Sequence, residues 1–147
     1  MQQKTILLVE DNPDDEMLTL RALRKNNISN PVEIVHDGQQ ALDYFFGEGA
    51  STRPIPTVVL LDLKLPKIDG LEVLRRLRSD QRTSMQPVVI LTSSREEEDI
   101  VNGYRLGTNS YIRKPVDFEQ FIEAIRQLGL YWLVLNEPPP SLQNKAK

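Results

Sequence analysis

The chain predicts an α/β domain, an open and doubly wound parallel sheet with helices on both faces. Three observations carry that expectation. Apolar runs alternate with helical patterns five times along 147 residues, the order in which β-α units build a parallel sheet. Two of these runs, Ile6-Leu7-Leu8-Val9 and Val58-Val59-Leu60-Leu61, have no polar break, as strands buried on both faces require. Both lead straight into carboxylates, Glu10-Asp11 and Asp62, at the strand ends beyond which open α/β sheets bind their ligands.

Each element has its own signal. The first strand runs from Thr5 to Val9, and Asn12-Pro13-Asp14-Asp15 opens the first helix. That tetrapeptide supplies a side-chain cap, a proline at the first helical position and acids in the first turn. Met17, Leu20 and Leu23 are expected along one side of this helix, with Asn26-Asn27 ending it. The second strand, Val32 to Val35, reaches His36-Asp37-Gly38 and a helix carrying Ala41, Leu42, Phe45 and Phe46. Gly47 to Pro56 holds two glycines and two prolines and reads as a surface connection.

After the third strand and Asp62, Gly70 leads into a helix with Leu71, Val73, Leu74 and Leu77 at helical spacing. The fourth strand, Val88 to Leu91, ends in Thr92-Ser93-Ser94. Ser94 with Glu97 makes a capping box, and Gly107 is placed to close the helix that follows. A short strand, Tyr111-Ile112, reaches Lys114-Pro115. The last helix shows an apolar stripe of Phe118, Phe121, Ile122, Ile125 and Leu128. One domain over residues 4–136 is expected, with residues 129–136 as an extension and 137–147 as a polar, proline-rich, disordered tail.

Composition narrows the function classes. A net charge of −3 and a pI near 5.2, with no basic block, argue against a nucleic-acid footprint. The chain has no cysteine and one histidine, which excludes disulfides, thiol chemistry and multi-histidine metal sites. No apolar stretch approaches a membrane span, and a cytoplasmic, membrane-free setting is expected.

The strand ends carry complementary groups: Glu10-Asp11 after the first, Asp62 after the third, Thr92 after the fourth and Lys114 after the fifth. Converging acids repel unless a proton or a cation compensates them. Ligands that are all oxygens favour Mg²⁺ over Zn²⁺. With a hydroxyl and an ammonium nearby, the set suits a doubly charged oxyanion. The chemistry it predicts is phosphoryl transfer to Asp62 as a carboxylate nucleophile, with the metal and Lys114 stabilising charge on the transferring group.

These residues resemble the response-regulator receiver domain, the flavodoxin-like module phosphorylated by a histidine kinase. The resemblance covers Lys4 to about Leu128 and rests on Glu10-Asp11, Asp62 with the Leu65-Pro66-Lys67-Ile68-Asp69-Gly70 turn, Thr92-Ser93 and Lys114-Pro115. It implies a sheet of order 2-1-3-4-5, with Asp62 as phosphoacceptor. It also implies Glu10, Asp11, Asp62 and the Lys64 carbonyl around Mg²⁺, Thr92 as the switch hydroxyl and Tyr111 as the aromatic that follows it. Lys114 becomes the phosphate-binding ammonium, joined to Pro115 by a cis bond. Lys64 and Ser94, each two residues beyond a site residue, are expected to set the hydrolysis rate, with Lys64 crowding or ion-pairing the path of water.

The segment Leu130-Tyr131-Trp132-Leu133-Val134-Leu135 is apolar on every side of a helix, so it is expected to join two protomers. With the following Asn136-Glu137 and proline run, it resembles the stand-alone response regulators that accompany phytochrome-type histidine kinases. Two other classes are weaker. An aspartyl-phosphate phosphatase would place a second acid two residues after the nucleophile, where this chain has Lys64. A flavodoxin-like scaffold with a dead site would lack one of the acids, the threonine or the lysine. The chain is therefore expected to be no enzyme beyond its own phosphorylation and slow dephosphorylation.

Overall fold

A computed structural model describes residues 4–92, 97–114 and 118–137. Ser93, Ser94, Pro115 and the tail beyond residue 137, with the roles expected of them, lie outside the described residues. Five strands, β1 (Ile6–Val9), β2 (Val32–Val35), β3 (Val58–Leu61), β4 (Val88–Thr92) and β5 (Ser110–Arg113), alternate with five helices. The helices are α1 (Pro13–Lys25), α2 (Gly38–Phe46), α3 (Gly70–Ser79), α4 (Glu97–Arg105) and α5 (Phe118–Gly129). All strand pairings are parallel and the order is β2-β1-β3-β4-β5, the expected doubly wound flavodoxin-like fold.

Position in the sheet explains the strand sequences. The three inner strands, β1, β3 and β4, are buried at every residue; with both faces covered they are apolar throughout except for Thr92 at the carboxyl end of β4. β2 is an edge strand, with Glu33 exposed and Val32, Ile34 and Val35 half-buried. Within the inner strands, successive side chains serve opposite faces. Leu7, Val9, Val59, Leu61 and Ile90 pack under α2 and α3, while Ile6, Leu8, Leu60, Val89 and Leu91 pack under α1 and α5.

The helix ends follow their sequence signals. Asn12 caps α1, its side chain accepting from Asp14 N and Asp15 N, with Pro13 in the first turn. Asp37 and Asp69 cap α2 and α3. Gly107 takes a φ of +87° just after α4, the left-handed conformation that favours glycine at a helix end.

Two helix faces differ from expectation. On α1 the buried residues are Thr19, Ala22 and Leu23, whereas Met17 is 60% exposed. α1 lies against α5, fastened by Asn26 Nδ2 donating to the Ile122 carbonyl at 2.9 Å, with Ala22 and Leu23 packed in one cluster with Phe121, Ile125 and Leu128. On α2 it is Tyr44 that is buried beside Ala41 and Leu42, with Phe45 and Phe46 half-buried. The Tyr44 hydroxyl donates to the Pro54 carbonyl at 2.7 Å, which satisfies its polar end.

The extension also departs from expectation. Leu130–Leu135 continues α5 as a π-helical stretch, closed by Asn136 N donating to the Tyr131 carbonyl. Trp132 and Leu133 are buried in the chain's own core beneath α1 and α5, and Lys4 Nζ donates to the Leu133 carbonyl at 2.6 Å. Burial in the chain's own core sets these two residues apart from the other four of the expected six-residue interface. Leu130, Tyr131, Val134 and Leu135 are 46–66% exposed, so one side of the segment turns inward and the other stays bare. No helix among the described residues is long and apolar enough to cross a membrane.

Candidate functional site

The site is built at the carboxyl ends of β1, β3, β4 and β5. Parallel register sets Val9 between Val35 and Leu61, so the residues that follow leave the sheet side by side. Glu10 N donates to the Val35 carbonyl at 3.0 Å and Asp62 N to the Val9 carbonyl at 3.1 Å. Carboxylate oxygens of Glu10, Asp11 and Asp62 lie within 4.8 Å of one another. Glu10 and Asp62 are buried and Asp11 is exposed, so the cluster opens to solvent on one side.

The loop after β3 folds tightly back on Asp62. Gly70 N donates to the Leu63 carbonyl at 2.9 Å, and a β-carbon at Gly70 would stand 2.2 Å from the Asp62 carbonyl oxygen. Only glycine permits that approach, which gives the Asp69-Gly70 pair its place after Asp62. Lys67 holds a φ of +68° in the same turn, and its ammonium lies 3.5 Å from Asp37 at the cap of α2.

Lys114 comes from the far side. Its N–H donates to the Thr92 carbonyl at 2.7 Å, joining the ends of β4 and β5. Its ammonium hydrogen-bonds Glu10, lies 3.1 Å from Asp15 Oδ2 and 3.8 Å from Asp62 Oδ2, and is wholly buried. Burial disfavours its charge, but the bond to Glu10 and the fields of Asp62, Glu10 and Asp15 outweigh that and raise its pKa. Burial pushes Glu10 up to about 8, with contact to Asp62 adding to the rise and Lys114 opposing it.

That electrostatic state fits a divalent cation. Asp62 Oδ1 is buried with no hydrogen-bond partner among the described residues, an expensive arrangement for a carboxylate. Glu10, Asp11 and Asp62 supply oxygens alone, the ligand set of Mg²⁺.

The other expected residues are distributed as follows. Thr92 is fully buried at the end of β4. Tyr111 is half-buried on β5, near Gly103 of α4. Lys64 is 61% exposed, with its ammonium 3.8 Å from Asp99 Oδ2 on α4. His36, at the end of β2, has its Nε2 2.9 Å from Glu16 Oε1 on α1. No local pattern marks Asp15 or Asp99 as a site residue. The capping pattern placed Asp15 in the first turn of α1, but nothing local signals its contact with a lysine 99 positions away.

Known proteins of the same build bear on this geometry. The phosphorylated cyanobacterial phytochrome response regulator RcpA superposes with a TM-score of 0.85 at 38% identity, covering 95% of this chain and all of that one. The bacteriophytochrome response regulator RtBRR matches at 53% identity and a TM-score of 0.75, over 97% of this chain and 88% of its own. A probable methanogenesis regulatory protein, FilR2 of Methanothrix harundinacea, is 40% identical over 134 residues, 91% of this chain and 86% of that protein. The family pattern described as the response regulator receiver domain matches residues 6–126, and the chain belongs to that family.

Proposed function

We propose that Asp62 accepts a phosphoryl group from the phosphohistidine of a phytochrome-type sensor kinase in the cytoplasm, with Mg²⁺ held by Glu10, Asp11, Asp62 and the Lys64 carbonyl. The observation that carries this reading is Asp62 itself, a buried carboxylate with one oxygen unpartnered, set between two other acids and a buried ammonium. Mg²⁺ supplies charge neutralisation that lets the carboxylate meet an anionic donor. A carboxylate oxygen of Asp62 attacks phosphorus, the bond from phosphorus to the histidine nitrogen breaks, and an acyl phosphate forms. Lys114 presents a dry, fixed ammonium to the transferring oxygens, where it needs no reorganisation.

Thr92 and Tyr111 then carry the change outward. A hydroxyl drawn towards the phosphoryl group leaves space that the Tyr111 ring fills, altering the face of α4, β5 and α5. The extension follows directly on α5, one element of this face, and its Leu130, Tyr131, Val134 and Leu135 are exposed. It supports assembly of two copies of the chain, since bare apolar side chains of that number favour burial. Similarity to RcpA and RtBRR supports the phytochrome pairing.

Intact-mass measurement after incubation with acetyl phosphate tests the core of this reading. A gain of one phosphoryl group is expected with Mg²⁺, and none after chelation with EDTA or in Asp62→Asn. Equal labelling of Asp62→Asn would overturn it.

A further inference from the structure

The environment of Lys114 contains one acid more than a cation cluster needs. An ammonium has three donors and accepts nothing. Glu10 takes one of them, and Asp15 Oδ2 takes a second at 3.1 Å. Asp62 Oδ2, at 3.8 Å, lies beyond hydrogen-bond reach. Asp15 itself is firmly placed. Its N–H donates to Asn12 Oδ1 at 3.1 Å, and its carbonyl accepts from Thr19 Oγ1 at 3.0 Å. Glu10 joins the same frame, since Asn12 N donates to Glu10 Oε2 at 3.3 Å. The start of α1 thus holds both acids that grip the ammonium.

We propose that Asp15 is a positioning residue for Lys114: it holds the ammonium on the α1 side of the pocket, short of Asp62, so that the third N–H is kept for an oxygen of the incoming phosphoryl group. The proposal rests on Asp62 being the acceptor. Without Asp15, a lysine with no access to water would close on the next anion, the Asp62 carboxylate. That pair would stabilise the unphosphorylated state and would have to break before transfer. A contact that favours only the ground state slows the reaction. Charge alone makes the opposite prediction, since removing a fourth carboxylate should ease the entry of any anion.

The experiment is calorimetric titration of beryllofluoride, a stand-in for the phosphoryl group on Asp62, into the full chain at saturating Mg²⁺. Wild type is compared with Asp15→Asn, which keeps an acceptor without charge, and with Asp15→Ala, which keeps neither. Asp15→Ser serves as a second truncation suited to a first-turn position. The expected result is affinity about tenfold weaker in the truncations, the scale of one charge-assisted hydrogen bond, with Asp15→Asn within about threefold of wild type. An equal change in Asn and Ala, in either direction, would assign the effect to charge and overturn the proposal, as would unchanged affinity in the truncations. Wild type that fails to bind beryllofluoride, or binds it equally as Asp62→Asn, would instead remove the acceptor reading on which the proposal stands.

Discussion

Lys114 and Glu10 form a hydrogen-bonded pair from which water is excluded, the ammonium donating to the carboxyl, with side-chain exposures of 0% and 1%. The pair bridges the ends of β5 and β1 across the sheet's active edge. Its partners are 104 residues apart, so it exists only when the sheet is complete. Folding and site assembly are therefore one event here.

Breaking that pair has a double consequence. Removing one member of a buried pair costs about 3–5 kcal/mol when the other is left charged, and a proton on Glu10 moderates this. For Lys114→Ala we expect a loss of about 2 kcal/mol in chemical denaturation without metal, and a smaller loss with Mg²⁺. Phosphorylation by acetyl phosphate should fall about 100-fold, as for the removal of one oxyanion donor. Unchanged rates would remove Lys114 from the reaction.

Mg²⁺ affinity should depend on pH. Glu10 in the folded, metal-free chain is raised from 4.5 to about 8, so below that value it holds a proton that the metal must displace. The folded pKa exceeds the unfolded one, so this group's contribution to metal-free stability is full below pH 4.5 and is lost as pH rises through about 8. Affinity runs the other way, rising up to about tenfold per pH unit while one proton is released, then levelling above pH 8. Titration of Mg²⁺ between pH 6 and 9, roughly bracketing that pKa, checks this. A flat profile would contradict a protonated Glu10.

The phosphoryl lifetime should respond to the pair formed by Lys64 and Asp99. Lys64→Asn should shorten the acyl phosphate's half-life, by about two- to fivefold on the energy scale of an exposed ion pair. Asp99→Asn frees the Lys64 ammonium to move over the site and should lengthen it. A half-life that stays constant or rises in Lys64→Asn would sink this account of hydrolysis.

The extension predicts a separation of stability from assembly. Leu133 is buried in the core and Tyr131 is half-exposed on the opposite side. Leu133→Ala should lower stability by about 2–4 kcal/mol. Tyr131→Ser and Leu135→Ser should change it by less than about 0.5 kcal/mol, while lowering the sedimentation coefficient at high concentration. Assembly that persists in both serine variants would place the contact elsewhere.

Much of this was legible in the chain, and the exceptions have physical causes. β1 and β3 announce themselves because both faces are covered, which forbids polar residues and leaves unbroken apolar runs. β5 is an edge strand and shows only Tyr111 and Ile112 between Ser110 and Arg113, so its ends were invisible to pattern. Met17 is apolar at a helical spacing, but the side of α1 packed with α5 is that of Ala22 and Leu23, and Met17 faces solvent. Trp132 and Leu133 could not be told from Tyr131 and Val134, since a segment apolar all round carries no sign of which side turns inward. Glu10, Asp11, Asp62, Thr92 and Lys114 were readable as strand-end residues. Asp15 and Asp99 were not, because their importance lies in partners brought near by the fold.

The account turns on which carboxylate becomes the acyl phosphate, and reductive trapping measures that directly. Borohydride reduction of the phosphorylated chain converts the acceptor aspartate to homoserine, which peptide mass mapping then locates. The expected result is homoserine at position 62, formed only in the presence of Mg²⁺. Homoserine at Asp11 or Asp15 with Asp62 intact, or a phosphorylated chain that yields none, would contradict the central claim.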